Sequence, residues 1–292
     1  MPIDLQIDLY EKCIKPILLY GSEIWGFEKM EIVEKIQLRF LKLLLGVKTT
    51  TPSCMIYGEL GVLPLSVEAK VKVLSFWFRL IKDFLNGSCK ISVQMFRLNN
   101  ELFNKKEHTQ AWLLYVKTLL ENLGLGYIWD NPFMELTLSK FKAIIKTRII
   151  DQYFQSWKEE VDQNNICISY RLFKTNFGFE PYLIKLLPAS RHALQKLRLS
   201  THRLPIQQLR YTDIPRHNRF CTVCELHEIG DEFHYLFRCK NPEISAKRTE
   251  LLPKYFHKNS NVIKMHQLLN TKSKRKLIAL CKFIAVIFKA AG

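Results

Sequence analysis

The sequence predicts an all-α fold, a helical body with a small, irregular, metal-binding knuckle of the CCHC type near its carboxyl end. Apolar residues recur at the three-to-four-residue spacing of amphipathic helices, whereas the strict alternation typical of half-buried strands is hard to find. Eleven glycines and eleven prolines in 292 residues are few for a turn-rich β protein. The chain is 48% hydrophobic, which favours a folded core over disorder.

The first clear helix is expected over residues 28–45. Its apolar residues on one helical face are Ile32, Ile36, Phe40, Leu43 and Leu44. Gly46 follows this segment and Pro52 lies beyond it, which together indicate a helix end.

Further helices are expected over residues 66–85, 108–123, 138–160, 181–199, 242–256 and 273–289. Residues 166–174 form a candidate strand, and the metal-binding loop is a candidate small hairpin. The helix over 273–289 is apolar on several sides, but it is short and interrupted by Lys282. We therefore expect it to be buried against the body and not inserted in a membrane.

Three consecutive segments are expected: residues 1–65, a helical body over 66–187, and a region over 188–292 with the knuckle and the C-terminal helix. Pro188 marks the second boundary, because the sequence becomes more basic after it.

The most specific motif is Cys-x2-Cys-x9-His-x4-Cys, formed by Cys221, Cys224, His234 and Cys239. Two thiols separated by two residues can face one ion from a tight turn, and a later pair can complete a tetrahedron. Zn²⁺ favours such sulfur and nitrogen ligands, and four protein ligands leave no position for a reacting water. The motif predicts a structural zinc ion. Two alternatives stay open: four core residues at ligand spacing by chance, and His227 as the third ligand.

The composition also indicates where the protein acts. The formal net charge is +17, and such a charge attracts polyanions. The amino terminus has no basic signal-peptide region, and no apolar run reaches membrane-spanning length. We expect an intracellular protein, nuclear or cytoplasmic and not secreted, whose eight cysteines are reduced. No membrane and no small-molecule substrate are expected as partners.

Cations concentrate around the metal motif and in the last segment. The candidate nucleic-acid-binding residues are Arg198, Arg203, Arg210, Arg216, Arg219, Arg238, Lys240, Lys272, Lys274, Arg275 and Lys276. Arginine suits phosphate because its guanidinium group donates two parallel hydrogen bonds. A basic helix kept soluble by its charge is the alternative, and Lys272–Lys276 could instead be a nuclear import signal.

Aromatic and acidic residues accompany these cations. Phe220 and Tyr235 are candidates for stacking on bases, whereas Phe233 and Phe237 are expected to pack beneath the metal site. The acidic residues of the loop are expected to cap helices or to pair with arginines, namely Glu225, Glu228, Asp231 and Glu232.

Several motifs resemble the region after the polymerase palm in LINE-type (non-LTR) retrotransposon reverse transcriptases. These motifs include Tyr20-Gly-Ser-Glu-Ile-Trp-Gly26, Phe40-Leu-Lys-Leu-Leu-Leu-Gly46, Tyr57-Gly-Glu-Leu-Gly61, Asp151-Gln-Tyr-Phe-Gln-Ser-Trp157, Tyr170-Arg-Leu-Phe-Lys174, His202-Arg-Leu-Pro-Ile206 and Ile229-Gly-Asp-Glu-Phe-His234. They cover nearly the whole chain in the family's order. The chain departs from the family pattern at Gln207-Gln-Leu-Arg-Tyr211, which leaves the position of Arg210 open.

The resemblance implies a C-terminal fragment in which residues 1–65 are a thumb-like helical remnant. The family's endonuclease and palm are absent, and no Asp-Asp dipeptide occurs in the sequence. We therefore expect no enzyme activity but zinc-dependent binding of RNA or single-stranded DNA. The alternatives are a zinc-stabilised protein-interaction module and a pseudogene product without selected activity.

Overall fold

The computed structural model describes residues 1–28, 30–105, 111–131 and 135–291. The protein is 70% helical and no strand forms within these ranges, so the predicted all-α fold class is confirmed. Two isolated antiparallel bridges join Leu60 to Phe179 and Phe220 to Ile229. Of the helices expected from the sequence, residue 29 of the first and residues 108–110 of the third lie outside the described residues.

The described residues form seventeen α-helices. The first nine are α1 (Ile3–Leu9), α2 (Lys15–Leu18), α3 (Ser22–Trp25), α4 (Met30–Leu45), α5 (Ser53–Leu60), α6 (Leu65–Leu85), α7 (Ile91–Asn104), α8 (Ala111–Asn122) and α9 (Gly126–Asp130). The others are α10 (Leu138–Gln163), α11 (Tyr170–Phe173), α12 (Tyr182–Lys185), α13 (Pro188–Arg198), α14 (Pro205–Gln208), α15 (Pro242–Leu251), α16 (Val262–Leu269) and α17 (Lys274–Ala291). Tyr10–Ile14 and His234–Arg238 are π-helical turns, and Leu209–Tyr211, Arg216–Asn218 and Lys254–Phe256 are 3₁₀ turns.

The helices belong to two compact units. The first comprises residues 1–7, 38–62 and 158–292, and the second comprises residues 8–37 and 63–157. Both units are discontinuous in sequence. The metal motif and the basic residues around it belong to the first unit.

Stacked aromatic rings fill the core of the second unit. The rings of Trp77 and Trp129 are nearly parallel with centroids 5.4 Å apart, and those of Phe78 and Phe141 are 4.2 Å apart. These residues lie on α6, α9 and α10. Large aromatic side chains contribute much buried apolar area, so they anchor this unit.

A charged network lies in the core of the first unit. The fully buried guanidinium of Arg198 donates to both carboxylate oxygens of Glu59, at 2.6 and 3.2 Å, and lies 3.0 Å from Glu180. Lys174 pairs with Glu180 at 2.5 Å, so two cations balance two carboxylates. Burial alone would raise the pKa of Glu59, but Arg198 outweighs this effect and lowers it.

Helix α4 buries a different face from the one that the apolar spacing selects. Ile32, Ile36 and Leu43 are exposed, at 62%, 49% and 73%. Leu41 and Leu45 are buried instead. The apolar residues surround more of this helix than one stripe, and contacts with the rest of the fold select the buried face.

Three other expectations from the sequence are wrong. The helix expected over 242–256 ends at Leu251, and a 3₁₀ turn follows it. Residues 166–174 do not form a strand, because they contain α11 and its flanking turns. The helix expected over 181–199 is two helices, α12 and α13, with Leu186 and Leu187 extended between them. Pro188 explains the break, since proline disfavours a helical conformation in the residue before it and suits the first turn of a new helix.

The last helix is buried as expected. Leu277, Leu280, Phe283, Ile284 and Ile287 of α17 are each at most 1% exposed, and the helix packs against α13 and α15. Among the described residues, we find no helix with both the length and the apolarity needed to span a membrane.

Candidate metal centre

The motif cysteines and histidine converge on one point. Each of Cys221, Cys224, His234 and Cys239 offers one ligand atom, and these atoms lie within 4.8 Å of one another. In a tetrahedral site with metal–sulfur bonds of about 2.3 Å, neighbouring ligand atoms are about 3.5 to 3.8 Å apart. The Cys224 Sγ–His234 Nε2 distance is 3.4 Å, close to that value. This Cys₃His group could therefore hold a metal ion.

The first ligand pair lies in a tight turn closed by the bridge between Phe220 and Ile229. The N–H of Cys221 donates to the carbonyl of Glu228 at 2.9 Å, and that of Gly230 to Arg219 at 2.8 Å. A Cβ at Gly230 would lie 3.1 Å from the backbone of Cys221, so glycine permits this close approach. The small hairpin expected here is reduced to this single pairing.

The second ligand pair lies on the π-helical turn His234–Arg238 and the residue after it. The N–H of Cys239 donates to the carbonyl of His234 at 2.8 Å, and Asp231 caps the turn by accepting from the N–H of His234 at 2.9 Å. The guanidinium of Arg248, on α15, donates to the carbonyls of Tyr235, Leu236 and Cys239. Arg248 is 8% exposed, so a buried cation fixes the segment that carries two ligands.

His234, and not His227, belongs to the cluster. Its Nδ1 lies 3.0 Å from Glu228 Oε2, and its Nε2 faces Cys224. When Nδ1 carries the proton and donates to the carboxylate, the Nε2 lone pair is available to a metal, an arrangement common in metal sites. His227 is exposed at the tip of the turn, with a φ of 48°. The geometry thus selects between the two histidines that the sequence leaves open.

The environment favours an ionised thiol. Hydrogen bonds to Cys239, His234 and Tyr235 outweigh burial and lower the pKa of Cys221 to about 3. Burial lowers the pKa of His234, but hydrogen bonds to Cys221 and Glu228 prevail and raise it to about 9. The thiolate is the form that binds metals, so a bound cation would replace the protons shared among these groups.

Aromatic side chains occupy the positions around the cluster. Tyr235 is fully buried with its hydroxyl 3.4 Å from Cys221 Sγ, which removes it from the candidates for base stacking. Phe237 is buried, and its ring packs against that of the half-buried Phe233. Phe220 is 42% exposed and remains a candidate for stacking on bases.

Two acidic residues near the knuckle pair with arginines, as expected. Asp231 lies 3.5 Å from Arg216, and Glu228 lies 3.7 Å from Arg238. Glu232 is buried and accepts from Ser169 and from His202 Nε2, the latter at 2.8 Å. Glu225 is exposed. The roles of Glu228, Arg248 and His202 were missed, because their sequence positions give no sign of these partners.

One candidate nucleic-acid contact is wrong. Arg198 is 0% exposed and pairs with Glu59 and Glu180, so it cannot reach a phosphate outside the protein. The phenyl ring of Phe173 and the ring of Tyr182 also lie against its guanidinium, at 4.7 and 5.2 Å. Arg198 belongs to the core.

The other candidate cations apart from Arg203 fall into three groups. The first is Arg210, Arg216 and Arg219: burial and the charges of Arg216 and Arg210 lower the pKa of Arg219. Arg238 and Lys240 are exposed on the knuckle, and Arg203 is exposed after α13.

The third group is the exposed cluster Lys272, Lys274, Arg275 and Lys276 at the start of α17. Phe288 stacks on His202, with ring centroids 5.6 Å apart. At 1.5 Å per residue, the fourteen positions from Lys274 to Phe288 span about 21 Å along the helix. This third group therefore lies at the far end of α17 from His202 and Arg203.

Comparisons with family models, with curated proteins and with solved structures gave no match. The resemblance to non-LTR retrotransposon reverse transcriptases therefore stays a prediction from the sequence motifs. The site itself is defined at the level of chemistry: a closed Cys₃His centre that could hold a metal ion, in an all-α protein.

Proposed function

We propose that the Cys₃His centre holds one structural zinc ion and that the chain binds RNA or single-stranded DNA. The convergence of four ligand atoms within 4.8 Å carries the first part. Three sulfur ligands and one imidazole suit Zn²⁺, and a complete set of four protein ligands is typical of a structural ion. The ion's role is to fix the turn and the π-helical segment in place.

Nucleic-acid binding is supported by charge and by its placement. The net charge is +17, and Arg210, Arg216 and Arg219 lie close together beside the knuckle. Cations whose backbone is fixed by a metal site lose less entropy on binding, so they favour binding of a polyanion. No disulfide joins any of the eight cysteines, all of which lie within the described residues, and this supports a nuclear or cytoplasmic location.

Elemental analysis of the purified protein tests the zinc assignment. We expect one equivalent of zinc in the parent protein and its loss in Cys224→Ser, with retention in Cys13→Ser, which changes an exposed cysteine outside the centre. A substoichiometric metal content in the parent, or full retention of zinc and stability in Cys224→Ser, would contradict the assignment.

Fluorescence anisotropy with a labelled single-stranded RNA, measured over a range of salt concentrations, tests the binding. Arg238→Glu with Lys240→Glu removes two exposed knuckle cations without touching Arg219, whose guanidinium supports the carbonyls of Ile206 and Ile214. We expect weaker binding and a flatter salt dependence than in Lys12→Glu with Arg97→Glu, the control with the same charge change. Equal RNA affinity of both variants would show that the knuckle surface does not contact the RNA. Binding that does not depend on salt would favour the alternative, a protein-interaction module.

The proposed descent from a retrotransposon reverse transcriptase predicts no polymerase activity. Phosphoryl transfer by a palm requires carboxylates that hold two metal ions, and the sequence contains no Asp-Asp dipeptide. We expect no primer extension above a mock purification. Extension that copurifies with the protein and persists after further purification would overturn this part of the proposal.

A further inference from the structure

Two adjoining cavities lie between the end of α4 and the loop after α13. Their volumes are about 270 Å³ and about 410 Å³, and both are lined by Lys48, Thr201, His202 and Arg203. All lining residues belong to the first compact unit. Because the two cavities share these four lining residues, we refer to them together below as the Lys48–Arg203 pocket.

The lining of this pocket is positively charged. Four cations line one or both cavities: Lys48, Lys196, Arg203 and Arg210. No Asp or Glu is among the lining residues. Lys48, Lys196 and Arg203 form no ion pair within the part of the chain that the structure describes. Four uncompensated cations around a concave surface favour an anion.

The ends of two helices position these cations. Gly46 at the end of α4 has a φ of 62°, and the N–H of Val47 donates back to Lys42 at 3.1 Å. Ser200 at the end of α13 has a φ of 53°, and the N–H of Thr201 donates back to Lys196 at 3.0 Å. Both are Schellman motifs, which close a helix and redirect the chain. The carboxyl end of each helix contributes about half a negative charge, so the four positive charges of the pocket outweigh it.

Two hydroxyl groups in the pocket lack partners. Thr51 is 4% exposed, and its Oγ1 has no hydrogen-bond partner; the buried Oγ1 of Thr201 also has none. Both residues line the smaller cavity together with Lys48 and Arg203. Neither hydroxyl oxygen is accessible to solvent in this conformation, so an anion in the cavity would supply the missing acceptor after each side chain rotates toward it.

His202 forms a fixed wall of the pocket. Its Nε2 donates to Glu232 at 2.8 Å, and its Nδ1 accepts from the N–H of Leu204 at 3.3 Å, so both ring nitrogens are already used. At the rim of the smaller cavity, Tyr211 is 66% exposed and its hydroxyl accepts from Arg210 at 2.8 Å. An exposed aromatic ring next to phosphate-binding cations is typical of sites that hold single-stranded nucleic acid.

We propose that the Lys48–Arg203 pocket binds one backbone phosphate of single-stranded nucleic acid, with a base of the same strand stacked on Tyr211. Lys48 and Arg203 provide the charge, and the hydroxyls of Thr51 and Thr201 donate to the phosphate oxygens. This inference rests on the proposed nucleic-acid binding. Of the pocket residues, only Arg203 and Arg210 are among the nucleic-acid-binding residues predicted from the sequence.

The first test is the change Thr51→Val, which replaces one hydroxyl by a methyl group of similar size. Because the hydroxyl has no partner within the protein, the midpoint of thermal unfolding should stay the same or rise. Affinity for a fluorescein-labelled twelve-nucleotide RNA should fall about tenfold, as expected for the loss of a hydrogen bond to a charged group. Thr51→Ser keeps the hydroxyl and should bind like the parent. Unchanged RNA affinity in Thr51→Val would contradict the proposal that this pocket binds a phosphate of the RNA.

The second test removes the cations. Because both cations contact the same phosphate, Lys48→Ala with Arg203→Ala should lower the slope of log affinity against log salt by about 0.7, the value for one phosphate contact to a single strand. Lys12→Ala with Arg97→Ala, which removes two exposed cations elsewhere, serves as the control. Zinc content should be the same in all variants. Equal slopes for the two double variants would contradict the pocket while leaving nucleic-acid binding intact.

A titration with adenosine 5′-monophosphate distinguishes a strand from a free nucleotide. If the parent binds the RNA and the mononucleotide competes only at far higher concentration, a strand phosphate is the ligand. If the parent does not bind RNA at all, the proposed function fails. The mononucleotide can still bind in that case. If Lys48→Ala and Arg203→Ala abolish this binding, the pocket is a phosphate site, but its ligand is not a nucleic-acid strand.

Discussion

Glu228 Oε2 lies 3.0 Å from Nδ1 of His234, while the other ring nitrogen, Nε2, faces Cys224. The carboxylate fixes the ring orientation and holds the proton on Nδ1, so that Nε2 can bind a metal. Only five residues separate the two positions, yet Glu225 in the same turn is exposed and has no such role. The difference arises from the turn that the Cys221 N–H and the Glu228 carbonyl close.

The first prediction concerns this pair. Glu228→Ala should weaken metal binding by about ten- to one-hundredfold, as is typical when the partner of a ligating histidine is lost. Competition with a chromophoric chelator measures the affinity. Glu225→Ala removes the same charge from an exposed position and should bind metal like the parent. Equal affinities in both variants would show that the carboxylate does not orient His234.

The second prediction compares two arginines that are five positions apart. Arg198→Ala leaves Glu59 without its buried guanidinium partner and Glu180 with Lys174 alone, so it should lower the free energy of unfolding by about 3–5 kcal/mol. Arg203→Ala changes an exposed side chain and should alter it by less than about 0.5 kcal/mol. Urea unfolding of the two variants measures both. A small decrease in the free energy of unfolding of Arg198→Ala would mean that the buried charged network contributes little to stability.

The same network predicts a dependence on pH. Since the fold lowers the pKa of Glu59, this carboxylate stabilises the protein above its unfolded pKa of about 4.3. The stabilisation is lost as the pH falls through the lower pKa of the folded state. In Glu59→Gln with Arg198→Met, the decline in stability between about pH 5 and pH 2 should be shallower than in the parent. An identical decline would assign the acid sensitivity to other carboxylates.

The third prediction tests the orientation of α4. Leu41 is fully buried, so Leu41→Ala should cost about 2–5 kcal/mol of stability. Leu43 is 73% exposed, so Leu43→Ala should cost less than about 0.5 kcal/mol. Thermal and urea unfolding measure the two changes. The opposite order would mean that the apolar stripe through Ile36 and Leu43 is the buried face after all.

The fourth prediction separates steric contact from backbone strain at two glycines. Gly61 and Gly46 share a φ of 62°, which costs a residue with a side chain about 1–2 kcal/mol. A Cβ at Gly61 would lie 2.4 Å from the backbone nitrogen of Phe179, whereas at Gly46 it would meet nothing within 4 Å. Gly61→Ala should therefore destabilise the protein clearly more than Gly46→Ala in urea unfolding. Equal losses would indicate that the chain near Phe179 can move aside.

The sequence by itself determined the helical class and the three candidate cysteine ligands, whereas the structure selected His234 over His227 as the fourth. Helical periodicity and a ligand motif are local patterns, and the four ligands lie within nineteen consecutive residues, from Cys221 to Cys239. A tight turn and a π-helical turn suffice to bring them together, so the spacing in the sequence already contains most of the geometry. The break between α12 and α13 is equally local, because Pro188 causes it, although the expectation of one continuous helix overlooked it.

Only the tertiary structure decided which cations face the solvent. Arg198 pairs with Glu59 across 139 positions of sequence, whereas Arg203 lies exposed beside Lys48 and Thr51. Helix α4 shows the same limit, since its apolar residues allow more than one buried face. Burial depends on segments that meet only in the folded chain, and neither the charge nor the periodicity of one segment specifies which distant partner will cover it.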